Sequence, residues 1–173
     1  MIRVKKATEK DIILLSEMGI QTYKETHEKD IKSPEDLKRY LENTYSIDAI
    51  TQSLRQPNNR FYIIYVDEEP AGYAKIMLNA ESTYVDIVNP SKLDKIYILE
   101  KYIPLKIGQV LFDYLMDEAK KLKIGAYWLY VYIENHRAIR FYEKNDFTDI
   151  GRHDFMVNGT PYENIVFYKK IDG

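Results

Sequence analysis

The first dozen positions switch from one hydrophobic period to another. Ile2 to Lys6 alternates apolar and charged residues as a short strand does, and after Thr8 the residues Ile12, Leu15, Met18 and Gly19 recur at helical spacing. Ser33-Pro34-Glu35-Asp36 supplies an N-cap, a proline suited to the first helical position and acids for the first turn, with Leu37, Tyr40, Leu41 and Tyr45 as the apolar stripe behind them. A third short helix is predicted over Ile47 to Arg55, ending before Pro57-Asn58-Asn59. Phe61 to Val66 is β-branched and aromatic, and a turn over Asp67 to Pro70 leads into Ala71 to Leu78, which predicts an antiparallel hairpin.

Asn79 to Lys92 is polar and carries no clear period, whereas Leu93 to Leu99 reads as a strand. Ile107, Val110, Leu111, Tyr114, Leu115, Ala119 and Leu122 trace an amphipathic helix with Gly125 as its stop, and Tyr127 to Ile133 is a buried strand. A helix over Asn135 to Asn145, capped by Asn135, is followed by closing strands at about 148–157 and 163–170, with Asn158-Gly159 as a turn signal in the longer loop between them. Strand, helices, a run of strands, helix, strand, helix and strands define an α+β (mixed α/β) chain and not a simple doubly wound sheet.

Composition narrows the chemistry. The 173 residues, 45% of them hydrophobic, suffice for one sizeable core, so a single domain over 1–173 is expected. Lys and Arg total 25 against 27 Asp and Glu, a balance that lacks the basic footprint of a nucleic-acid binder. No Cys is present, which excludes disulfides, thiolate metal sites and a cysteine nucleophile and fits a cytoplasmic location. Met1 to Asp11 never opens into the apolar core of a secretory signal, so the mature chain is expected to start at Met1. The longest apolar run, Ala126 to Ile133, is far short of the ~20 residues that span a bilayer, and no membrane role is expected. His27, His136 and His153 show no metal spacing, and GxSxG, Walker A and GxGxxG sequences are absent, so no metal is expected.

Two segments remain. Leu93 to Leu111 runs from a strand through a short loop into a helix N-terminus, where free N–H groups and the positive end of the dipole can hold a pyrophosphate and Gly108 lets the anion approach; an ordinary strand–helix connection is the competing reading. In Trp128 to Phe147, Asn135, Ala138 and Tyr142 are spaced by three and then four residues and share one helix face. A lone tyrosine at such spacing ordinarily packs with its hydroxyl satisfied.

Together these segments resemble the GNAT (Gcn5-related N-acetyltransferase) superfamily. Its second motif, N-x-x-A-x-x-F-Y-x-x-x-G-F, stands here as Asn135, Ala138, Phe141, Tyr142 and Phe147, with Asp146 in place of the glycine. Its R/Q-x-x-G-x-G/A loop is degenerate: Ile103 and Lys106 replace the first two positions, only Gly108 agrees, and Pro104 removes an amide donor. TYKETH, SPEDLKRYLENTYS, the spacing to LDKIYIL and FYEKNDFTDIGRHDFMV look most like the PaiA-type spermidine/spermine acetyltransferases.

The resemblance implies a single GNAT-fold domain with a central, mostly antiparallel, partly splayed sheet flanked by helices, and acetyl-CoA as cosubstrate. The backbone of Ile96, Tyr97 and Ile98 would pair with the acetyl and pantetheine amides, and the amides of Leu105, Lys106, Ile107, Gly108 and Gln109 would hold the pyrophosphate. Lys106 would add a cation beside the phosphates or be a solvated lysine, and Lys144 would contact the CoA end or lie on the surface. Asn135 would bond the pantetheine arm and Tyr142 would sit near the sulfur. An ammonium of pKa ~10.4 must lose a proton before it attacks a thioester, and Asp94 and Tyr97 are candidates to face it. The leaving thiolate, of conjugate-acid pKa ~8.5, would take its proton from Tyr142 in a direct attack.

The implied acceptor is a small-molecule primary amine, a polyamine such as spermidine, for which Glu25, Glu28, Glu81, Asp86, Asp94 and Glu163 with Tyr23, Tyr84 and Tyr97 are the anionic and aromatic candidates. The alternatives are a protein or peptide amine acetyltransferase and a CoA-binding regulatory domain with weak catalysis. The resemblance also allows a homodimer.

Overall fold

The structure, a computed structural model, describes residues 1–172. Its elements in chain order are β1 (Ile2–Lys6), α1 (Ile12–His27), α2 (Pro34–Tyr45), α3 (Ile47–Arg55), β2 (Asn59–Val66), β3 (Glu69–Met77), β4 (Pro90–Ile98), α4 (Ile107–Lys121), β5 (Ala126–Tyr132), α5 (His136–Lys144), β6 (Thr148–Val157) and β7 (Thr160–Lys170), with short 3-10 turns at Glu9–Asp11 and Glu100–Leu105. The strand order is β1-β2-β3-β4-β5-β7-β6, a seven-stranded mixed sheet in which β4 and β5 run parallel. This is the mixed α/β arrangement expected from the pattern.

The chain forms two compact units. One comprises 1–76 and 95–116, the other 77–94 and the residues from 117 onward, so β4 and α4 each contribute to both.

In the first unit local chemistry sets the helix starts. Thr8 and Asp11 form a reciprocal capping box, and the hydroxyls of Ser33 and Ser46 accept from the N–H of Asp36 and Ala49. β1 pairs antiparallel with β2 from Ile2↔Val66 to Lys6↔Tyr62. The β2–β3 turn places Asp67 and Glu68 at φ 47° and 67°, the doubly left-handed form that matches strand twist. α1 to α3 and β2–β3 enclose a core that includes Leu15, Met18, Tyr45, Ile63 and Tyr73. Close approach explains two glycines: a Cβ on Gly19 would lie 2.2 Å from the Tyr45 ring, and one on Gly72 would lie 2.5 Å from Tyr97 O.

In the second unit β4 pairs with β5 over Pro90↔Ala126 to Lys92↔Trp128, while β5 pairs with β7 from Ala126↔Lys170 to Tyr132↔Asn164. Three expectations are corrected here. β4 begins at Pro90 and not at Leu93, because Asn89 at φ 55° ends the preceding turn and a proline needs no ladder donor at a strand's first position. α4 is stopped by Lys123 and not by Gly125: Lys123 takes φ 55°, and the N–H groups of Lys123 and Ile124 return to Lys120 O and Ala119 O. Gly125 is needed instead because a Cβ there would sit 2.0 Å from Val88 O. Finally, β6 and β7 are joined by Asn158-Gly159 alone, at φ 48° and 85°, so β7 starts at Thr160 and no longer loop exists.

α5 ends in the same motif as α4. Asp146 takes φ 67°, with its N–H on Glu143 O at 3.1 Å and that of Phe147 on Tyr142 O at 3.0 Å. This is the position where the family motif carries glycine, and the left-handed backbone gives the reason. An L-residue there costs about 1 kcal/mol, offset in part by glycine's greater freedom in the unfolded chain. The Asp146–Lys169 ion pair is long, at 3.9 Å, and the aspartate is exposed. Asp146→Gly should therefore raise the melting temperature by about 1–3 °C in thermal unfolding without altering activity; a lower melting temperature would show that the Lys169 pair matters more than the backbone.

Candidate active site

α5 carries the strongest sequence signal. Asn135 accepts the Ala138 N–H through Oδ1 at 3.3 Å, so its carbonyl oxygen caps the helix and its two amide N–H groups remain as donors for a ligand. Two turns on, Tyr142 is 7% exposed, its ring set edge-on against Phe141 and Phe147 at 5.5 and 5.3 Å and tilted against Phe167 at 6.0 Å. The hydroxyl makes no hydrogen bond to any described residue. Among the described residues the Ser91 hydroxyl is the buried side-chain polar atom without a partner, so the Tyr142 hydroxyl opens to solvent while its ring is buried. Burial pushes its pKa up, and it stays protonated at neutral pH. Lys144 lies exposed in the last turn of the same helix.

The loop before α4 is built differently from the expectation. The Lys106 N–H is bonded to Ile103 O at 3.0 Å and the Gln109 N–H to Lys106 O at 3.3 Å. Of the amides from Leu105 to Gln109, those of Ile107 and Gly108, the first two residues of α4, are the ones a helix start leaves without intrahelical partners. Lys106 adopts the left-handed backbone at φ 57°, which explains why the family has glycine there; its side chain is exposed beside the helix start. A Cβ on Gly108 would meet nothing nearer than Ile98 Cγ1 at 3.7 Å, an ordinary contact. Internal packing therefore does not require that glycine. The loop fits a pyrophosphate through two amides and one cation.

On β4, Asp94 is already paired. Its Oδ1 lies 3.1 Å from Lys92 Nζ, and that ammonium also sits 5.3 Å from the Trp128 ring centroid and 4.8 Å from that of Tyr130. An amine's proton passed to Asp94 would weaken this ion pair. Tyr97 points into the first unit, where its hydroxyl is 3.2 Å from His27 Nε2 and its ring stacks on Tyr73 at 6.0 Å. Tyr73 donates to the Tyr45 hydroxyl at 3.0 Å, and burial holds the phenols of Tyr45, Tyr73 and Tyr97 above their ordinary pKa. Ile96 and Ile98 are half-buried on the same strand.

His27 is not among the expected site residues, because no spacing among the three histidines marks it. The available signal was Tyr23 and His27, four residues apart on α1, whose rings lie 4.8 Å apart. Burial first, then the charges of Lys95 and Lys29, lower the His27 pKa to about 4.

The candidate acceptor groups are only partly gathered. Glu25 and Glu28 line a cavity of about 520 Å³ with Gln21, Lys24, Lys29 and Glu100, and Glu25 accepts the Glu100 N–H at 3.0 Å. Tyr23 is buried in the core, Tyr84 donates to Arg152 O at 2.9 Å, Glu163 pairs across the β6–β7 ladder with Asp154, and Glu81 and Asp86 lie in the segment between β3 and β4. No described helix is long and apolar enough to cross a membrane.

Comparison with known proteins identifies the family. The profile of the acetyltransferase (GNAT) family matches residues 23–147. An uncharacterised N-acetyltransferase encoded in the pepI 3′ region of Lactobacillus delbrueckii subsp. lactis is 28% identical over 171 residues, covering 98% of each chain. The PaiA N-acetyltransferase of Thermoplasma acidophilum, solved in complex with coenzyme A, shares the fold with a TM-score of 0.77 at 23% identity, over 98% of this chain and 99% of that one. The ribosomal-protein-S18-alanine N-acetyltransferase of Escherichia coli superposes with a TM-score of 0.71 at 16% identity, over 100% and 96%. With the family profile over most of its length and Asn135, Ala138, Phe141 and Tyr142 on one helix, the chain belongs to the acetyltransferase (GNAT) family and is an N-acetyltransferase.

Proposed function

We propose that this protein, acting as one N-acetyltransferase domain in the cytoplasm, transfers the acetyl group of acetyl-CoA directly to a primary amine of the polyamine class, such as spermidine or spermine. The observation that carries the reading is Tyr142: a buried, protonated phenol with an unengaged hydroxyl on the helix that Asn135 caps. In this reading the main chain of Ile96, Tyr97 and Ile98 pairs with the acetyl and pantetheine amides, and the Asn135 side-chain N–H groups bond the pantetheine arm. The amides of Ile107 and Gly108, the Lys106 ammonium and the neighbouring Leu105 and Gln109 grip the pyrophosphate, and Lys144 adds a cation at the CoA end. The acceptor loses one proton before it attacks; Tyr142 gives its phenolic proton to the departing sulfur and regains one from the acylated nitrogen through solvent, so one proton is released per turnover. Asp94, whose Oδ1 is shared with Lys92, is the carboxylate on β4 that faces the acceptor. A cationic acceptor is supported by the cavity lined by Glu25, Glu28 and Glu100, whose three carboxylates outnumber the Lys24 and Lys29 ammonium groups by one.

Calorimetric titration with CoA and acetyl-CoA, followed by a thiol-release assay with spermidine, spermine and a lysine peptide, tests the reading. Binding with turnover of the polyamines is expected. Turnover of the peptide alone would make the protein a protein acetyltransferase, and binding without turnover would make it a CoA-dependent regulator.

A further inference from the structure

We propose that His27 is a positioning residue for the acceptor amine: its imidazole accepts the Tyr97 O–H at Nε2 and so leaves the phenol oxygen's lone pairs to receive an N–H of an amine brought to β4. The inference rests on the reading of β4 given under Proposed function.

The geometry makes the pair directional. A phenol has one donor and an oxygen that accepts, and the Tyr97 hydroxyl lies 3.2 Å from His27 Nε2. If the donor is committed to the imidazole, a ligand at the oxygen must bring a proton of its own, as an amine does and a carboxylate does not. A protonated imidazole would reverse this, donating to Tyr97 and turning its O–H outward toward the amine.

The surroundings decide between the two states. His27 is the last residue of α1, where the negative end of the helix dipole favours the imidazolium. Against that stand burial, the Lys95 ammonium on β4 and the Lys29 ammonium just beyond the helix, with the uncharged Tyr23 and Tyr97 rings on the other sides, and the unfavourable influences win: the pKa falls to about 4. At that value the ring is neutral at pH 7 and too weak a base to retain an ammonium proton. Its part is orientation. The Tyr97 ring is fixed in turn by stacking on Tyr73, so the hydroxyl has little freedom other than rotation of its proton.

Nitrogen NMR of the intact protein at pH 7 gives the first test. His27 should show the neutral tautomer protonated at Nδ1, with Nε2 as the bare acceptor; an Nε2-protonated ring or an imidazolium overturns the proposal regardless of activity. Steady-state kinetics gives the second. Tyr97→Phe and His27→Leu should each raise the KM for the amine about tenfold, the loss of one hydrogen bond to a polar ligand. The double variant should be no worse than either single one, and His27→Gln, whose amide oxygen can accept, should recover part of the loss. Additive effects, or an active parent whose KM ignores both substitutions, overturn the proposal. A parent that acetylates no amine overturns the transferase reading itself, and the two failures are therefore distinct.

Discussion

Tyr142→Phe should lower kcat by about 100-fold or more while leaving acetyl-CoA affinity within about twofold and the melting temperature unchanged. The substitution removes one oxygen and no ring atom, so the contacts with Phe141, Phe147 and Phe167 persist. It breaks no hydrogen bond to a described residue. Stability therefore has no reason to fall, and a kinetic loss reports chemistry. Burial keeps the phenol protonated, which suits a donor and excludes a base at neutral pH. The same burial makes donation to an ordinary thiolate more uphill than the reference values of ~10 and ~8.5 suggest. A thiolate emerging against the same apolar rings is itself destabilised, and the gap narrows again. Thiol release measured beside calorimetric binding separates the two quantities; kcat equal to the parent's would remove Tyr142 as the acid.

Acidification from pH 8 to pH 4 should destabilise the protein by about 3 kcal/mol through His27 alone. The folded pKa is about 4 and the ordinary value 6.5, so between those limits the unfolded chain takes up a proton that the folded chain refuses. Stability therefore rises with pH across this window; the penalty is absent above about pH 6.5 and fully developed below about pH 4. His27→Gln removes the titration and should flatten the pH dependence by that amount in urea unfolding. At pH 8 the variant should differ from the parent only by lost packing against Tyr23 and Tyr97. Parallel parent and variant curves would mean that the imidazole titrates alike in both states.

The helix starts, the hairpin and the family motif were legible because each depends on residues within a few positions of one another. Ser33, Ser46 and Asn135 cap through side-chain oxygens that reach an N–H three residues on, and such bonds form wherever the local backbone allows. The Asp67–Glu68 turn and α3 follow the same logic of local pattern. The departures from the family motifs at Lys106 and Asp146 were legible, yet their reason was not: both hold left-handed backbones that glycine would adopt more easily, and φ is not written in a side chain's identity.

What the sequence determined by itself is thus the order and type of elements and the line Asn135-x-x-Ala138-x-x-Phe141-Tyr142, since period, caps and turns act over short separations. The tertiary structure alone decided which side chains meet. His27 reaches Tyr97 across 70 positions, Tyr45 reaches Tyr73 across 28, and Asp94 proves to be tied to a Lys92 that sits against two rings of β5. It also decided that Gly125 serves Val88 O and not the end of α4. Partners brought together by chain closure, and the pKa values that burial then imposes on them, depend on the whole packed core, which no window of the sequence contains.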